Sequence, residues 1–296
     1  MNPHTLRVAV VGHVEWVRFA RVSHIPGAGE IVHARDPFEE PAGGGAVAAV
    51  QLARLAGASA LCTALAEDDH GRRTVARLGE LGVDVLAVTR EQPTRSAVAL
   101  VDDSRERTIT TFGARLEPAG ADTQVGWSAL AEMDAVYFTA GDLAALRAAR
   151  AARVLVASPR ALHALGHGVP LDALVLSGED AIEREDAARA QADAELVVLT
   201  DGARGGSYKE RSGVSGERSA GSGTWDAAPL PGPAVDSYGC GDSFAAGLTY
   251  GLGAGMTPPD ALALAARCGA VCLTGRGPYE RQLRCASAEG GCASGG

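Results

Sequence analysis

Short apolar runs alternate with longer Ala-, Leu- and Arg-rich stretches along most of the chain. The short runs have the length and composition of buried strands, and the longer stretches have the apolar spacing of helices. This alternation indicates an α/β fold with a mostly parallel central sheet, because parallel neighbours need a crossover connection that a helix usually supplies. The predicted strands are residues 6–11, 60–64, 135–139, 154–157, 173–176 and 196–200, and the predicted helices are residues 46–55, 71–81, 144–152, 182–191, 243–253 and 259–272.

Two segments, residues 14–39 and 95–112, interrupt this alternation and have the character of extended chain. In the second, polar and apolar residues alternate on either side of a turn-like Asp-Asp-Ser. We expect the two segments to pair into a small sheet that lies as a lid over a site at the carboxyl ends of the parallel strands. One domain is expected over residues 1–284, with a mobile Ser- and Gly-rich loop at 212–223 and a flexible tail at 285–296.

Acidic residues outnumber basic ones, with 36 Asp and Glu against 27 Lys and Arg and a formal net charge of −9. This balance argues against nucleic acid as a partner. The one lysine, Lys209, lies between Tyr208 and Glu210, whereas a Walker-type phosphate loop needs a lysine directly after its last glycine. The sequence therefore excludes that phosphate site, and Lys209 is expected to be an exposed cation of a loop or hairpin.

No apolar run approaches the roughly 20 residues that a membrane-spanning helix requires, and the N-terminal residues lack the layout of a secretion signal. We therefore expect a cytoplasmic protein with no membrane partner. The six cysteines are too sparse for a disulfide scaffold and contain no Cys-x-x-Cys pair, so reduced thiols are expected.

The run Asp-Ser-Tyr-Gly-Cys-Gly-Asp-Ser-Phe at residues 236–244 carries the clearest chemistry. Gly239 and Gly241 permit a turn in which successive N–H groups converge, and a helix that begins there adds the positive end of its dipole. These features predict an anion hole that needs no lysine. The residues alone leave two roles open for Asp242, which is either a helix-capping carboxylate or a general base that takes a proton from an alcohol.

The same run resembles the carboxy-terminal signature of the ribokinase-like (PfkB) family of carbohydrate kinases, Asp-Thr-x-Gly-Ala-Gly-Asp-x-Phe, with Ser237 in place of the Thr and Cys240 in place of the Ala. The resemblance extends over residues 8–283 and implies a ribokinase-like three-layer sandwich with a small β-sheet lid. It implies Asp242 as the general base and Asp236 as a support near a monovalent-cation site, for which K⁺ is the candidate. The amides implied to form the anion hole are those of Gly239, Cys240 and Gly241.

Further segments occur in the order that this resemblance implies. Gly43 and Gly44 resemble the family's amino-terminal Gly-Gly signature, where backbone approaches the sugar. Residues 200–205, Thr-Asp-Gly-Ala-Arg-Gly, resemble the family's nucleotide-holding turn. The residues of this turn implied to bind ATP are Thr200, Gly202 and Gly205.

The resemblance also implies roles for a helix and for a carboxylate. The helix at 261–273 would flank the adenine, and Cys268 on it is assigned to the nucleotide. Asp180 stands where the family has a glutamate that orients magnesium. A helix-terminal carboxylate is an equal alternative for Asp180.

The expected substrate pocket departs from the sugar-kinase pattern at two positions. Val17 stands where the family usually has an Asp that holds sugar hydroxyls, and Val47 replaces the usual Asn. Because a site built for hydroxyls loses discrimination when its polar groups are lost, ribose and fructose are disfavoured as substrates.

Other side chains near these positions are candidates for substrate contacts. Glu15 is a replacement acceptor and Trp16 an apolar wall, although a lid ion pair and a packed aromatic are equal alternatives. Arg107 and Arg160 are candidates to meet an anionic group of the substrate, and solvated surface arginines are the alternative.

The resemblance implies a kinase that uses ATP and Mg²⁺, with K⁺ as a further candidate, to phosphorylate a hydroxyl of a sugar, sugar derivative or nucleoside. The alternative is a kinase-like binding or regulatory protein with little or no turnover, against which the intact Asp242 run argues. The family's lid also suggests a second copy of this chain as a partner.

Overall fold

A sheet of nine strands forms the centre of the part of the chain that the structure describes, residues 6–178, 187–211 and 221–285 of a computed structural model. The strands of these residues are β1 (Val8–Val11), β2 (Glu15–Arg21), β3 (Arg35–Ala42), β4 (Ser59–Ala66), β5 (Val83–Arg90), β6 (Ser96–Val101), β7 (Arg107–Phe112), β8 (Ala135–Phe138), β9 (Val154–Ala157), β10 (Leu171–Ser177), β11 (Ala194–Thr200), β12 (Gly206–Glu210) and β13 (Ser222–Trp225). The α-helices are α1 (Gly44–Ala56), α2 (Asp69–Glu80), α3 (Leu143–Ala149), α4 (Ala188–Ala192), α5 (Cys240–Gly253) and α6 (Pro258–Leu273).

The central sheet has the order β13-β12-β11-β10-β9-β8-β1-β4-β5. Its neighbours pair in parallel from β11 to β5, and the hairpin of β12 and β13 is antiparallel. From β1 the chain proceeds to β4 and β5 on one side and later fills the other side, starting with β8. The carboxyl ends of β1 and β8 therefore flank the point where the strand order reverses, which is where open α/β sheets bind ligands.

Alternate side chains of the central strands enter two separate apolar cores, as the two-residue period of a strand requires. In β1, Val8 and Val10 join the core that contains residues of α1, α2, α5 and α6. Ala9 and Val11 join the core on the other face, with residues of α3 and α4. Helices thus cover both faces, and the predicted three-layer α/β sandwich is confirmed.

A smaller sheet of four strands, in the order β3-β2-β6-β7, lies apart from the central one. Phe19 of β2 stacks on Phe38 of β3 and meets the ring of Tyr238 edge-on, with centroid distances of 4.8 Å in both pairs. Aromatic pairs of this geometry add to the stability that burial provides. The small sheet is therefore fastened to the segment that leads into α5.

The six strands predicted from the sequence correspond to β1, β4, β8, β9, β10 and β11. The prediction missed β5, an edge strand that is only partly buried and carries polar Asp84 and Thr89. Of the predicted helix at 182–191, only the part in α4 falls within the described residues. The predicted mobile loop lies outside them at 212–220, whereas Ser222 and Gly223 pair in β13.

Two further expectations concern exposed or terminal parts of the chain. Lys209 is exposed on β12 of the β12–β13 hairpin, as predicted. The proposed tail lies outside the described residues from residue 286 onward. Among the helices of the described part, none is long and apolar enough to cross a membrane.

Candidate active site

The candidate site is a cavity of about 230 Å³ at the carboxyl end of the central sheet, beneath the small sheet. His13 follows β1, Arg160 lies beyond β9, and Asp242 is in the first turn of α5. The charged residues of its wall are Glu15, Arg95, Arg107, Arg115, Arg160 and Asp242. Its other lining residues are His13, Gly43, Ile109, Thr111, Tyr238 and Gly239.

Asp242 is buried at the bottom of this cavity, with 8% of the residue exposed. Its Oδ1 atom lies 3.2 Å from Nη1 of Arg160, so the guanidinium fixes the direction of the carboxylate. Gly44, the first residue of α1, lies against this ion pair. A Cβ at Gly44 would lie 2.6 Å from Arg160 Nη1 and 3.1 Å from Asp242 Oδ1. The close approach of α1 to Asp242 therefore requires glycine.

The turn before Asp242 exposes backbone N–H groups at the N-terminus of α5. Gly239 has φ of +83° and is the N-cap of this helix. Among the described residues, no acceptor contacts the N–H groups of Gly239, Gly241 and Asp242, and a Cβ at Gly241 would meet no atom within 4 Å. Amides without an acceptor at a helix N-terminus are suited to bind an anion.

The amide of Cys240 differs from the expectation. It donates to the carbonyl of Ser237 at 3.4 Å, because Gly239 turns the chain through the left-handed region. Within the described residues, the amides of this turn without an acceptor are therefore those of Gly239, Gly241 and Asp242. The hydrogen bond with the Cys272 thiol raises the pKa of the Cys240 thiol, and burial raises it further.

The carboxylate of Asp236 stabilises the turn through two hydrogen bonds. Its Oδ1 accepts a hydrogen bond from the Tyr238 amide at 2.8 Å, and its Oδ2 accepts one from the Gly277 amide at 3.0 Å. The carboxylate thus ties the loop before α5 to the turn after α6. The structure gives Asp236 a role in holding the backbone, and its assignment to a potassium site stays a prediction.

His13 and Glu15 are buried polar groups of the wall. Burial lowers the pKa of His13 well below its usual value, and the charges of Arg160, Arg115 and Arg95 lower it further. Burial raises the pKa of Glu15, although Arg95, whose Nε lies 3.4 Å from Glu15 Oε2, opposes that rise. Relative to the same groups in water, burial thus shifts the pKa of each toward its neutral form.

Three of the predicted nucleotide residues lie together outside this cavity. Thr200 ends β11 and donates from Oγ1 to the Leu176 carbonyl at 3.2 Å. Gly202 begins the following 3-10 turn, and Gly205 has φ of +83° where the chain enters β12. These residues form one strand-to-hairpin turn at the carboxyl edge of the sheet, and their role in nucleotide binding stays a prediction.

Cys268, the fourth residue predicted to bind the nucleotide, does not lie at the surface. It is fully buried between α5 and α6, where its Sγ would lie 2.8 Å from a Cβ at Gly247. Burial raises its pKa to about 12. Cys268 therefore supports the packing of the two helices, and the structure does not bring it to a nucleotide.

The two valines of the predicted pocket are also outside the cavity wall. Val17 and Val47 are fully buried in the core, and Val47 packs against Gly239, where a Cβ would lie 2.9 Å from its Cγ1. Trp16 faces away from the site, with its ring stacked on His70 and the Arg73 guanidinium 4.1 Å from the ring centroid. Neither valine lines the cavity, so other side chains form its wall.

Asp180 lies outside the described residues. Within the described part of the chain, no group of three or more His, Cys, Asp or Glu side chains is arranged to hold a metal ion. A magnesium ion that binds mainly through the phosphates of a nucleotide needs only one or two protein carboxylates. The assignment of Asp180 to magnesium stays a prediction.

Sequence reasoning missed six residues of the wall, which are His13, Arg95, Ile109, Thr111, Arg115 and Tyr238. A signal existed for His13, because a polar residue directly after a buried parallel strand falls at the ligand-binding edge. Arg95 precedes β6 and Arg115 follows β7. Their approach to Asp242 depends on how the small sheet is seated, which no local pattern contains.

The family model of pfkB family carbohydrate kinases matches residues 5–162 and 171–283. A comparison with curated protein sequences found no match. The fold is similar to that of an inferred ribokinase from Agrobacterium tumefaciens, at 21% identity and a TM-score of 0.75 over 94% of this chain and 95% of that one.

Two other solved structures share the fold. An Arabidopsis thaliana ribokinase complexed with ribose and ATP is 19% identical with a TM-score of 0.68, over 92% of this chain and 94% of that one. An adenosine kinase from Sinorhizobium meliloti is 19% identical with a TM-score of 0.71, over 93% and 95%.

Proposed function

The chain belongs to the pfkB family of carbohydrate kinases, and on that basis we propose that it transfers the γ-phosphoryl group of ATP to a hydroxyl of a sugar, sugar derivative or nucleoside. One observation carries the proposal. The buried carboxylate of Asp242 lies in the same helical turn as N–H groups that have no acceptor within the described residues, and both border one cavity. A base and an anion site side by side are what phosphoryl transfer to an alcohol requires.

In the proposed reaction, the acceptor hydroxyl lies against Asp242. The carboxylate takes its proton as the oxygen attacks the γ-phosphorus in line with the leaving oxygen of ADP. The amides of Gly239, Gly241 and Asp242, together with the helix dipole, stabilise the negative charge of the transferring group. Arg160 positions the carboxylate through its contact at 3.2 Å.

The small sheet serves as the lid of this proposal. It supplies Glu15, Arg95, Arg107 and Thr111 to the cavity wall. By covering the cavity it excludes water, which would otherwise compete with the substrate as phosphoryl acceptor. The single-domain organisation, the cytoplasmic location and a pairing of two lids remain predictions.

The nucleotide is proposed to lie along the turn of Thr200, Gly202 and Gly205, with its phosphates toward Gly241. Magnesium, when bound, would neutralise charge on those phosphates. Asp180 is proposed as its protein ligand. The potassium requirement proposed near Asp236 is tested by measuring turnover with and without K⁺.

Asp242→Asn tests the proposed base. We expect kcat to fall by at least about a hundredfold while the Kd for ATP changes little, because the amide cannot accept the proton but preserves shape. Substrate-dependent ADP release and ATP binding are measured on the same preparations. The matched control is Asp260→Asn, the same change in the first turn of α6, where Asp260 is exposed and accepts from Thr257 Oγ1. Full activity of Asp242→Asn would overturn the assignment.

A binding protein with little turnover is the second candidate. It is favoured by one observation, the fully buried valines at 17 and 47 where the family usually has polar substrate contacts. A panel of sugars and nucleosides separates the two candidates. Tight binding without ADP release across the panel would favour the binding protein.

A further inference from the structure

The cavity wall concentrates positive charge in an acidic protein. Four arginines line it, against the two carboxylates of Glu15 and Asp242, although the chain as a whole has a formal net charge of −9. Three of the four come from the small sheet and its ends, namely Arg95, Arg107 and Arg115. Arg160 comes from the turn that follows β9.

Three of these arginines have a carboxylate partner. Arg95 pairs with Glu15 at 3.4 Å, and Arg160 pairs with Asp242 at 3.2 Å. Arg115 pairs with Glu117 at 2.6 Å and also donates to the Arg160 carbonyl at 2.9 Å. These ion pairs offset the charge of their own arginines.

Arg107 is different. Its Nη1 donates to Oγ and the carbonyl of Ser237, at 3.2 and 3.4 Å, and no carboxylate of the described residues lies within ion-pair distance of it. The guanidinium therefore faces the cavity with a net charge that neutral partners do not offset. A planar fork of donors of this kind matches carboxylate and phosphate oxygens.

The carboxylates of the wall already face other arginines. Glu15 Oε2 lies 3.4 Å from Arg95 Nε, and Asp242 Oδ1 lies 3.2 Å from Arg160 Nη1. An anionic ligand would therefore supply a counterion to Arg107, whereas an apolar base or a neutral sugar leaves its charge without one.

We propose that the acceptor carries an anionic group besides the hydroxyl that is phosphorylated, and that Arg107 binds this group with support from Arg95 and Arg115. The inference rests on the proposed kinase function and narrows its substrate class to polyhydroxy acids and sugar phosphates. A carboxylate and a phosphate share the chemistry that Arg107 recognises. The acceptor enters with its anionic end toward the small sheet and its hydroxyl toward Asp242.

The first experiment compares acceptors of one carbon skeleton. A neutral aldose, its aldonic acid and its monophosphate are assayed for ADP release, for skeletons of five and six carbons. We expect kcat/KM for one anionic form to exceed that of the neutral sugar by at least about tenfold, and the better of the two anions identifies the group. Equal or better use of the neutral sugars and of nucleosides would overturn the proposal.

The second experiment changes the arginine. Arg107→Gln is expected to raise KM for the anionic acceptor by at least about tenfold, with smaller changes in kcat and in KM for ATP, and Arg107→Lys is expected to restore part of the loss. The control is Arg35→Gln, which removes an exposed arginine of the same sheet that pairs with Asp103. A rise in KM for ATP alone would overturn the proposal and assign Arg107 to the nucleotide.

Calorimetric binding without ATP separates this inference from the kinase proposal. If the aldonic acid or the monophosphate binds wild-type protein but not Arg107→Gln, and the turnover assay with ATP yields no ADP, the anion site stands and the kinase proposal fails. If ADP forms with neutral acceptors and neither anion binds, the kinase proposal stands and the anion site fails. Thermal unfolding of Arg107→Gln and Arg107→Lys checks that both are folded, which is expected because residue 107 is exposed on β7.

Discussion

Glu15 has a carboxylate in the wall of the cavity with only 6% of the residue exposed. Burial raises its pKa above the usual value of 4.5 by more than the attraction of Arg95 lowers it. Folding therefore favours the protonated side chain. The stability contributed by this preference is fully present below pH 4.5 and is lost as the pH rises through the raised pKa.

Glu15→Gln tests this pH dependence, because glutamine keeps the shape of the side chain and does not ionise. The unfolding temperature of the variant, relative to wild type, should be higher at pH 7 than at pH 4. Thermal unfolding across that range measures the difference. The opposite trend would mean that the ion pair with Arg95 outweighs the cost of burying the charge.

The sequence identified those residues of the candidate site that fall within one short run. Asp242 and its glycines lie within one turn of each other, and the same turn brings them together in the structure. The sequence did not identify Arg95 and Arg115, since their place depends on contacts between distant segments. Val17 and Val47 were assigned to the pocket by position alone, and the structure places both in the core.

At the scale of elements, the site depends on the close approach of two helix N-termini. Residue 44 at the start of α1 lies beside Asp242 of α5, and Arg160 from the turn after β9 fits between them. The atom nearest to a Cβ at Gly44 is Arg160 Nη1, the far end of a flexible side chain. An added methyl group would therefore displace the guanidinium before it displaces backbone.

Gly44→Ala should accordingly impair activity more than stability. We expect kcat/KM to fall by at least about tenfold, because Asp242 loses the contact that orients it, while the unfolding temperature changes little. Gly79→Ala in α2 is the matched control, since a Cβ there would meet no atom within 4 Å, and alanine should stabilise that helix by about 0.5–1 kcal/mol. A folded Gly44→Ala with full activity would contradict the importance of the ion pair.

The sequence predicted the buried strands better than the partly exposed ones. Strands buried on both faces, such as β8 and β9, appear in the sequence as continuous apolar runs and were found. The edge strand β5 is only partly buried, so its mixed composition hid it. The lid segments are recognisable from their extended, alternating pattern. The parallel pairing of β2 with β6 joins distant parts of the chain, so a local pattern does not predict it.

At the scale of the whole molecule, the negative net charge has to be reconciled with the phosphate binding that the proposed function requires. The chain has 36 acidic and 27 basic residues, so its overall field does not attract ATP or an anionic sugar. In the proposed function, local groups supply that attraction, through amides at the start of α5 and guanidinium groups in a partly enclosed cavity. Screening by salt should weaken such buried contacts less than it weakens surface attraction.

The one lysine does not line the candidate site. Lys209 is exposed on β12, opposite Val197 of β11 and Ser222 of β13. It borders a second cavity of about 350 Å³, which is lined by residues of α4, β11 and β12 and contains none of the predicted site residues. If phosphate is held by amides and by arginine, removal of this one ammonium group leaves the chemistry intact.

Lys209→Ala should therefore retain kcat, and KM for ATP and for the acceptor should stay within about twofold of wild type, because an exposed cation contributes little to a distant site. Steady-state kinetics with ATP as the varied substrate measures this. A rise in KM for ATP without a change in kcat would move the nucleotide toward the second cavity. A large fall in kcat would mean that the phosphate site uses the lysine after all and that the lysine-free anion hole at Gly239, Gly241 and Asp242 is wrong.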